Sequence, residues 1–272
     1  MNWFHSIFYG LISGIAQFLP ISATAHQKLY LLFSGAAEFH PLQMLLIHIG
    51  CIAGILTNAK HFMDLLLKKT GKNYRSKNRT DPEVYDLRMV KTASVPLLLG
   101  FTILYLFKFP SDNLIILMVL FLINGIALYI PERMLRGNKD ARFMSVLDSY
   151  LIGISGSLSA LPGISGVGFI YSSAIARGAD RKHAFRWTIM LSFYVLCAMS
   201  VFDVVSLFSY TGESVKFISI LYWLLSALFA YLGSCISIRM IQFLSVRNGI
   251  SGFAYYSWGA ALLVFILYLT VV

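Results

Sequence analysis

The sequence predicts an all-α polytopic membrane protein with six transmembrane helices and two re-entrant helical hairpins in an inverted-topology repeat. Three observations carry this. Of 272 residues, 58% are hydrophobic and 12% charged, with a mean hydropathy of +0.73, against about 25% charged in soluble domains. Six apolar runs are long enough to span a bilayer, and two further runs are broken near their middle by proline. A soluble monomer of this composition would expose apolar surface on an aggregating scale, so the bilayer is the solvent for most of the chain. Disorder and a disulfide scaffold are excluded.

The first broken stretch covers residues 4–34 and is interrupted at Pro20; no basic stretch with a cleavage-like site precedes it, so the apolar N-terminus is expected to stay. Spans follow at 41–59, 92–109 and 114–131. The second broken stretch covers 144–177 and is interrupted at Pro162-Gly163, with spans at 187–208, 217–238 and 252–272 after it. Proline removes a backbone donor and disfavours helix at the residue before it, so each broken stretch divides into two arms of about 13 residues. Such an arm is roughly 20 Å long, enough to pass the middle of a ~30 Å hydrocarbon core. Two arms then make a hairpin that returns to the side it came from. The alternative is a pair of merely kinked spanning helices.

The cations choose between these. Nine Lys and Arg lie in Lys60–Lys91, four in Arg133–Arg142, four in Arg177–Arg186 and two in Arg239–Arg247, together 19 of the chain's 22. If basic loops are cytoplasmic, the loops at 132–143 and 178–186 share a side although the stretch 144–177 lies between them. That stretch therefore enters and leaves from the cytoplasm. By the same parity the loop at 35–40 faces outward, and a hairpin at 4–34 puts the N-terminus outside. Two units result, 1–131 and 144–272, each with one hairpin and three spans, the second inverted. The breaks echo one another, Phe18-Leu19-Pro20-Ile21-Ser22 against Ala160-Leu161-Pro162-Gly163-Ile164-Ser165. The polar segment Thr70–Asp86 is read as an exposed basic loop that sets topology and touches anionic headgroups.

Cys51, Cys197 and Cys235 lie in apolar runs without CxxC or His spacing and are read as small packing residues. The net charge of +10 comes without a basic and aromatic groove pattern, so nucleic acid is not an expected partner.

Unwound backbone at membrane depth is tolerated where it is buried in protein or lines a wet cavity, so the breaks mark the candidate site. Ser22 and Ser165 stand where each could cap the arm that follows. Converging helix N-termini favour an anion, and phosphate is the natural candidate. The candidate binding residues are Ser13, Gln17, Ser22, Thr24, His26, Lys28, Gly163, Ser165 and Gly166; for most serines, helix packing competes with ligand binding. His26 is either a functional group, as ionisable residues at this depth often are, or a histidine satisfied by a backbone carbonyl. Hydrolysis of a phosphate ester needs a base or metal ligands and cations. Neither hairpin holds an acid except Asp148, which leaves only His26 and Lys28 for such work.

The segment from Gly14 to His26, GIAQFLPISATAH, resembles the first signature of the undecaprenyl pyrophosphate phosphatase (bacitracin-resistance) family, EGLTEFLPxSSxGH, and Pro162–Gly168 resembles the second, PGxSRSG. The resemblance runs over nearly the whole chain and implies six spans, two re-entrant hairpins and a bacterial cytoplasmic membrane. Pro20, Ser22, Thr24, His26, Pro162, Gly163, Ser165 and Gly168 match. The family's two acids fall on Ser13 and Gln17, its second signature serine on Ala23 and its arginine on Gly166. In the family the acids are thought to serve metal binding and water activation, and the arginine to hold the diphosphate. With those groups replaced, no metal or cofactor is expected here. Three readings follow. The first is a silent relative that binds a polyprenyl phosphate or diphosphate at the midplane and carries the lipid or regulates its supply. The second is an active diphosphatase with a rearranged site in which His26 is catalytic. The third is a ligand-free structural membrane partner. A homodimer is compatible with each.

Overall fold

The computed structural model describes residues 3–35, 40–59, 82–107, 113–211, 215–247 and 249–271, with backbone alone at 82–84 and 271. Helices α1 (Trp3–Phe18) and α2 (Ala23–Ser34) flank the first break, and α3 (Pro41–Asn58), α4 (Pro82–Leu106) and α5 (Leu114–Arg133) follow. Helices α6 (Val146–Ser157) and α7 (Gly166–Ala176) flank the second break, and α8 (Arg181–Phe208), α9 (Phe217–Arg247) and α10 (Gly252–Val271) complete the described chain. Among the described residues six helices, α3, α4, α5, α8, α9 and α10, are long and apolar enough to cross a membrane. Large apolar side chains such as Leu99, Ile103, Ile126, Phe243 and Leu262 stand exposed on their outer faces, as a bilayer requires.

Local signals set the helix starts. His40 accepts from the Leu42 amide with Pro41 next to it, and Asn113 accepts from Ile115 and Ile116. Ser145 and Asp148 form a capping box, and Asp180 accepts from Lys182 and His183. Each side chain satisfies amides that the first turn leaves without a helical acceptor. The apolar windows locate the spans, and the helices run beyond them. α4 begins at 82 instead of 92, α8 at 181 instead of 187, and α9 ends at 247 instead of 238. Hydropathy registers only the length bathed in hydrocarbon, whereas backbone hydrogen bonding carries the helix on through charged turns in the headgroup region. The expected basic loop at 70–86 lies, up to residue 81, outside the described residues.

Each short helix pair closes on itself. The arms pack together, and the start of the first arm is tied to the end of the second. His5 Nδ1 lies 2.7 Å from the Tyr30 hydroxyl, and Arg177 Nε donates to Asp148 at 2.5 Å. The flanks of the second stretch also pair, the Lys139 amide with the Gly178 carbonyl and the Asp180 amide with the Lys139 carbonyl, both at 3.0 Å. Packing between the halves is crossed: α1 lies on α9 and α6 on α4, α3 on α9 and α8 on α4, while α3 meets α8 and α5 meets α10. The main apolar core lies where these contacts converge, around Phe18, Ile47, Leu97, Ile170, Trp187 and Leu191.

Candidate functional site

The two breaks meet in the interior. In the second, Leu161-Pro162-Gly163-Ile164 forms a turn closed by the Ile164 amide on the Leu161 carbonyl at 3.2 Å, with Gly163 at φ +100°. Proline followed by a residue of positive φ is the pattern of a type II turn, and glycine takes that φ without a steric cost. A side chain at Gly163 would also begin 2.8 Å from Leu120 Cβ. Ser165 then caps α7, accepting from the Gly168 amide at 3.2 Å.

Reciprocal bonds join the breaks. Ser22 Oγ accepts from the Gly163 amide at 2.9 Å, and Ser165 Oγ donates to the Leu19 carbonyl at 3.2 Å. Asn124 of α5, fully buried, bridges both: its Oδ1 accepts from the Ser165 amide at 2.9 Å, and its Nδ2 donates to the Pro20 carbonyl at 3.2 Å and to Ser257 Oγ at 2.9 Å. The expectation that Ser22 caps its own arm needs correcting. Ser22 occupies the cap position of α2 but makes no side-chain cap bond, because its hydroxyl is turned to the opposite tip. Its backbone, at φ 68°, is the one positive-φ non-glycine among the described residues.

Beside the joined tips lies a cavity of about 20 Å³. It is lined by Gln17 and Thr24 from the first hairpin, Ser159, Ser165 and Gly166 from the second, and Ser192 of α8, with apolar neighbours such as Ala23, Val195 and Met199. That volume exceeds the ~10–15 Å³ that holds one water molecule. Among the described residues every lining side chain is neutral. Ser159 Oγ is buried and has no hydrogen-bond partner among the described residues, so a polar group faces the cavity unsatisfied.

Of the sequence candidates, Gln17, Thr24, Ser165 and Gly166 line this cavity, while Ser22 and Gly163 bond to each other at its edge. Ser13 is buried and accepts from Gln27 Nε2 at 3.0 Å, so its hydroxyl is engaged between the arms of the first hairpin. Lys28 is half-buried on α2 and is not among the lining residues. His26 also lies off the cavity. Its Nδ1 is 2.7 Å from the Ser22 carbonyl and its Nε2 2.5 Å from the Tyr256 hydroxyl, with the Tyr256 ring stacked at 5.7 Å and Phe121 edge-on. His48 of α3, which is buried, bonds Asp203 at 2.6 Å. Asn124, Ser192, Tyr256 and Ser257 were not anticipated. A lone Asn within the apolar run of α5 was the available signal, since polar side chains inside spans commonly bridge helices.

Six carboxylates have described side chains, and each has a partner away from the cavity: Asp86 with Arg186 and Trp187, Glu132 with Arg181, Asp140 with Arg142, Asp148 with Arg177, Asp180 with its helix start, and Asp203 with His48. Hard divalent cations are held mainly by carboxylates. The hydroxyl and carboxamide oxygens at the tips do not fit the divalent cation that the resemblance implies.

A family model described as bacitracin resistance protein BacA matches residues 6–263. The chain belongs to this family. Among its relatives, undecaprenyl-diphosphatase 3 of Bacillus cereus is 27% identical over 271 residues, covering 99% of both chains. The undecaprenyl-diphosphatase of Carboxydothermus hydrogenoformans is 26% identical, covering 95% of this chain and 94% of its own. That of Prochlorococcus marinus is 27% identical, with 91% and 92% covered. Family membership together with six apolar helices makes this a multi-pass protein of the bacterial cytoplasmic membrane, within the undecaprenyl-diphosphatase family.

Proposed function

We propose that this member of the family binds a polyprenyl phosphate or diphosphate between its two hairpin tips without the hydrolytic chemistry of its relatives, and that it moves the lipid headgroup or regulates its supply. One observation carries this reading: among the described residues, those that line the cavity at the tips are all neutral. Of the positions where the family signature has acids and an arginine, Gln17 and Gly166 line it as an amide and a glycine, and Ser13 is tied to Gln27. What remains suits an anion better than it suits water activation. The arms of α2 and α7 begin at the tips, and helix N-termini favour negative charge.

On this reading 1–131 and 144–272 are inverted repeats, each with a hairpin that re-enters from its own side. The crossed packing of α1 on α9 and α6 on α4 supports it, because a two-fold axis in the membrane plane exchanges those pairs. So do the paired flanks Lys139 and Ala179. The bonds from Ser22, Ser165 and Asn124 hold the tips together beside the cavity, and on this reading their release lets the headgroup move. Alternate parting toward either face is the motion that inverted repeats support.

The second reading, an active diphosphatase, is favoured by the name that the three relatives share. It requires His26 to leave Ser22 and Tyr256 and turn toward a headgroup. Purified protein offered undecaprenyl diphosphate with magnesium or calcium separates the two. The first reading expects no phosphate release, together with a rise in melting temperature on adding polyprenyl phosphate, since a ligand that binds only the folded state stabilises it by mass action. Release that His26→Ala abolishes supports the second. The absence of any thermal shift removes the first.

A further inference from the structure

We infer that the basic end of the bundle carries a second, separate site, a pocket between α3, α8 and α9 that holds the phosphate of an anionic membrane lipid with its acyl chain against an apolar wall. The pocket has a volume of about 420 Å³, within the roughly 300–1,000 Å³ of ligand sites and far larger than the space at the tips. Its polar wall holds Lys182, Arg186 and Arg239, and among the described residues no carboxylate lines it. Asp86 neutralises Arg186 from behind at 2.7 Å and is itself buried. Neither Lys182 nor Arg239 has a carboxylate partner among the described residues, so that of the three described cations only Arg186 is paired with an acid.

Arg239 is held in place. Asn58 donates through Nδ2 to the Gly54 carbonyl at 2.9 Å, which leaves Oδ1 to accept from Arg239 Nε at 3.0 Å. The guanidinium is thus aimed by a neutral group, and its charge stays available for an anion; planar guanidinium suits a phosphate. Phe185, Ile189, Met190 and Ile238 supply the apolar part of the lining. Cations together with an apolar lining match a lipid phosphate with its chain, and basic pockets between helices on the cytoplasmic side are where anionic headgroups dock. The cluster Arg177–Arg186 assigns this end of α8 to the cytoplasm by the positive-inside rule. This site does not depend on the reading given to the tips.

Native mass spectrometry of the detergent-solubilised full chain, titrated with phosphatidylglycerol, phosphatidylcholine or inorganic phosphate, tests it. Lys182 and Arg239 are exposed, so neutralising them leaves the core intact. Phosphatidylglycerol is expected to bind in preference to phosphatidylcholine, with Lys182→Gln and Arg239→Gln each weakening it about fivefold, the factor equal to the ~1 kcal/mol typical of one cation near an anionic lipid. Arg239→Lys is expected to retain most of the binding. Equal binding of the two lipids, or unchanged phosphatidylglycerol binding by the double variant, overturns the proposal. Displacement of the lipid by low-millimolar inorganic phosphate also overturns it, in favour of a site for free phosphate.

Discussion

The two proline breaks share a sequence pattern but are stabilised differently. At the second, Pro162-Gly163 closes its own turn and Ser165 caps its own helix from an extended backbone at φ −94°. At the first, Ser22 sits at φ 68°, caps nothing of its own, and gives its oxygen to Gly163. A positive φ costs an L-residue about 1–2 kcal/mol, and such strain persists only where the surroundings enforce it. The second tip therefore closes its own turn and cap even though its Gly163 and Ser165 amides bond to Ser22 and Asn124, whereas the positive φ of the first tip is held by its bonds to the second and by Asn124.

Removing the shared bridge is expected to have the largest effect. Asn124→Ala strands the Ser165 amide and the Pro20 carbonyl, both buried. At about 1–3 kcal/mol for each of the two unsatisfied groups, a loss of about 2–6 kcal/mol is expected in equilibrium denaturation of the detergent-solubilised protein. Gly163→Ala comes next, at about 2–3 kcal/mol, from the positive φ and the clash with Leu120 together; loss of stability without loss of the ligand-induced thermal shift would show that the turn is structural only.

Restoring the family's arginine sharpens the comparison from the other tip. A side chain at Gly166 starts 2.8 Å from Ser159 Cβ, so Gly166→Arg is expected to destabilise by about 1–3 kcal/mol through overpacking. Adding Ser159→Gly is expected to recover most of this in the same melting assay. The smallest and most specific effect is the gap between alanine and glycine at the two cap positions. Ser22→Gly is expected to be more stable than Ser22→Ala by about 1–2 kcal/mol because glycine accepts the positive φ. At Ser165, where the backbone is ordinary, the same gap is expected to fall below about 1 kcal/mol. Equal gaps would dissolve the distinction between a strained and a relaxed tip.

Much of this architecture was legible in the residues. Uninterrupted apolar length placed all six spans, and Pro20 and Pro162 placed the breaks. Helix ends were legible only through caps such as Asp180, since hydropathy is silent on turns that lie among headgroups. At the tips, the residues adjacent in sequence to the prolines were found, and half of what surrounds them was not. Asn124, Ser192 and Tyr256 reach the breaks through packing of distant spans, and no local spacing encodes that. The direction of the Ser22 hydroxyl was likewise unreadable, because it is set by a backbone angle that the other half of the chain imposes.

Phosphate release from undecaprenyl diphosphate, measured side by side for the unaltered chain and its His26→Ala variant with magnesium or calcium present, bears most directly on the central claim. A neutral tip cavity predicts release no higher than the protein-free background for both. Steady turnover by the unaltered chain, lost in the variant, would contradict it and make His26 catalytic.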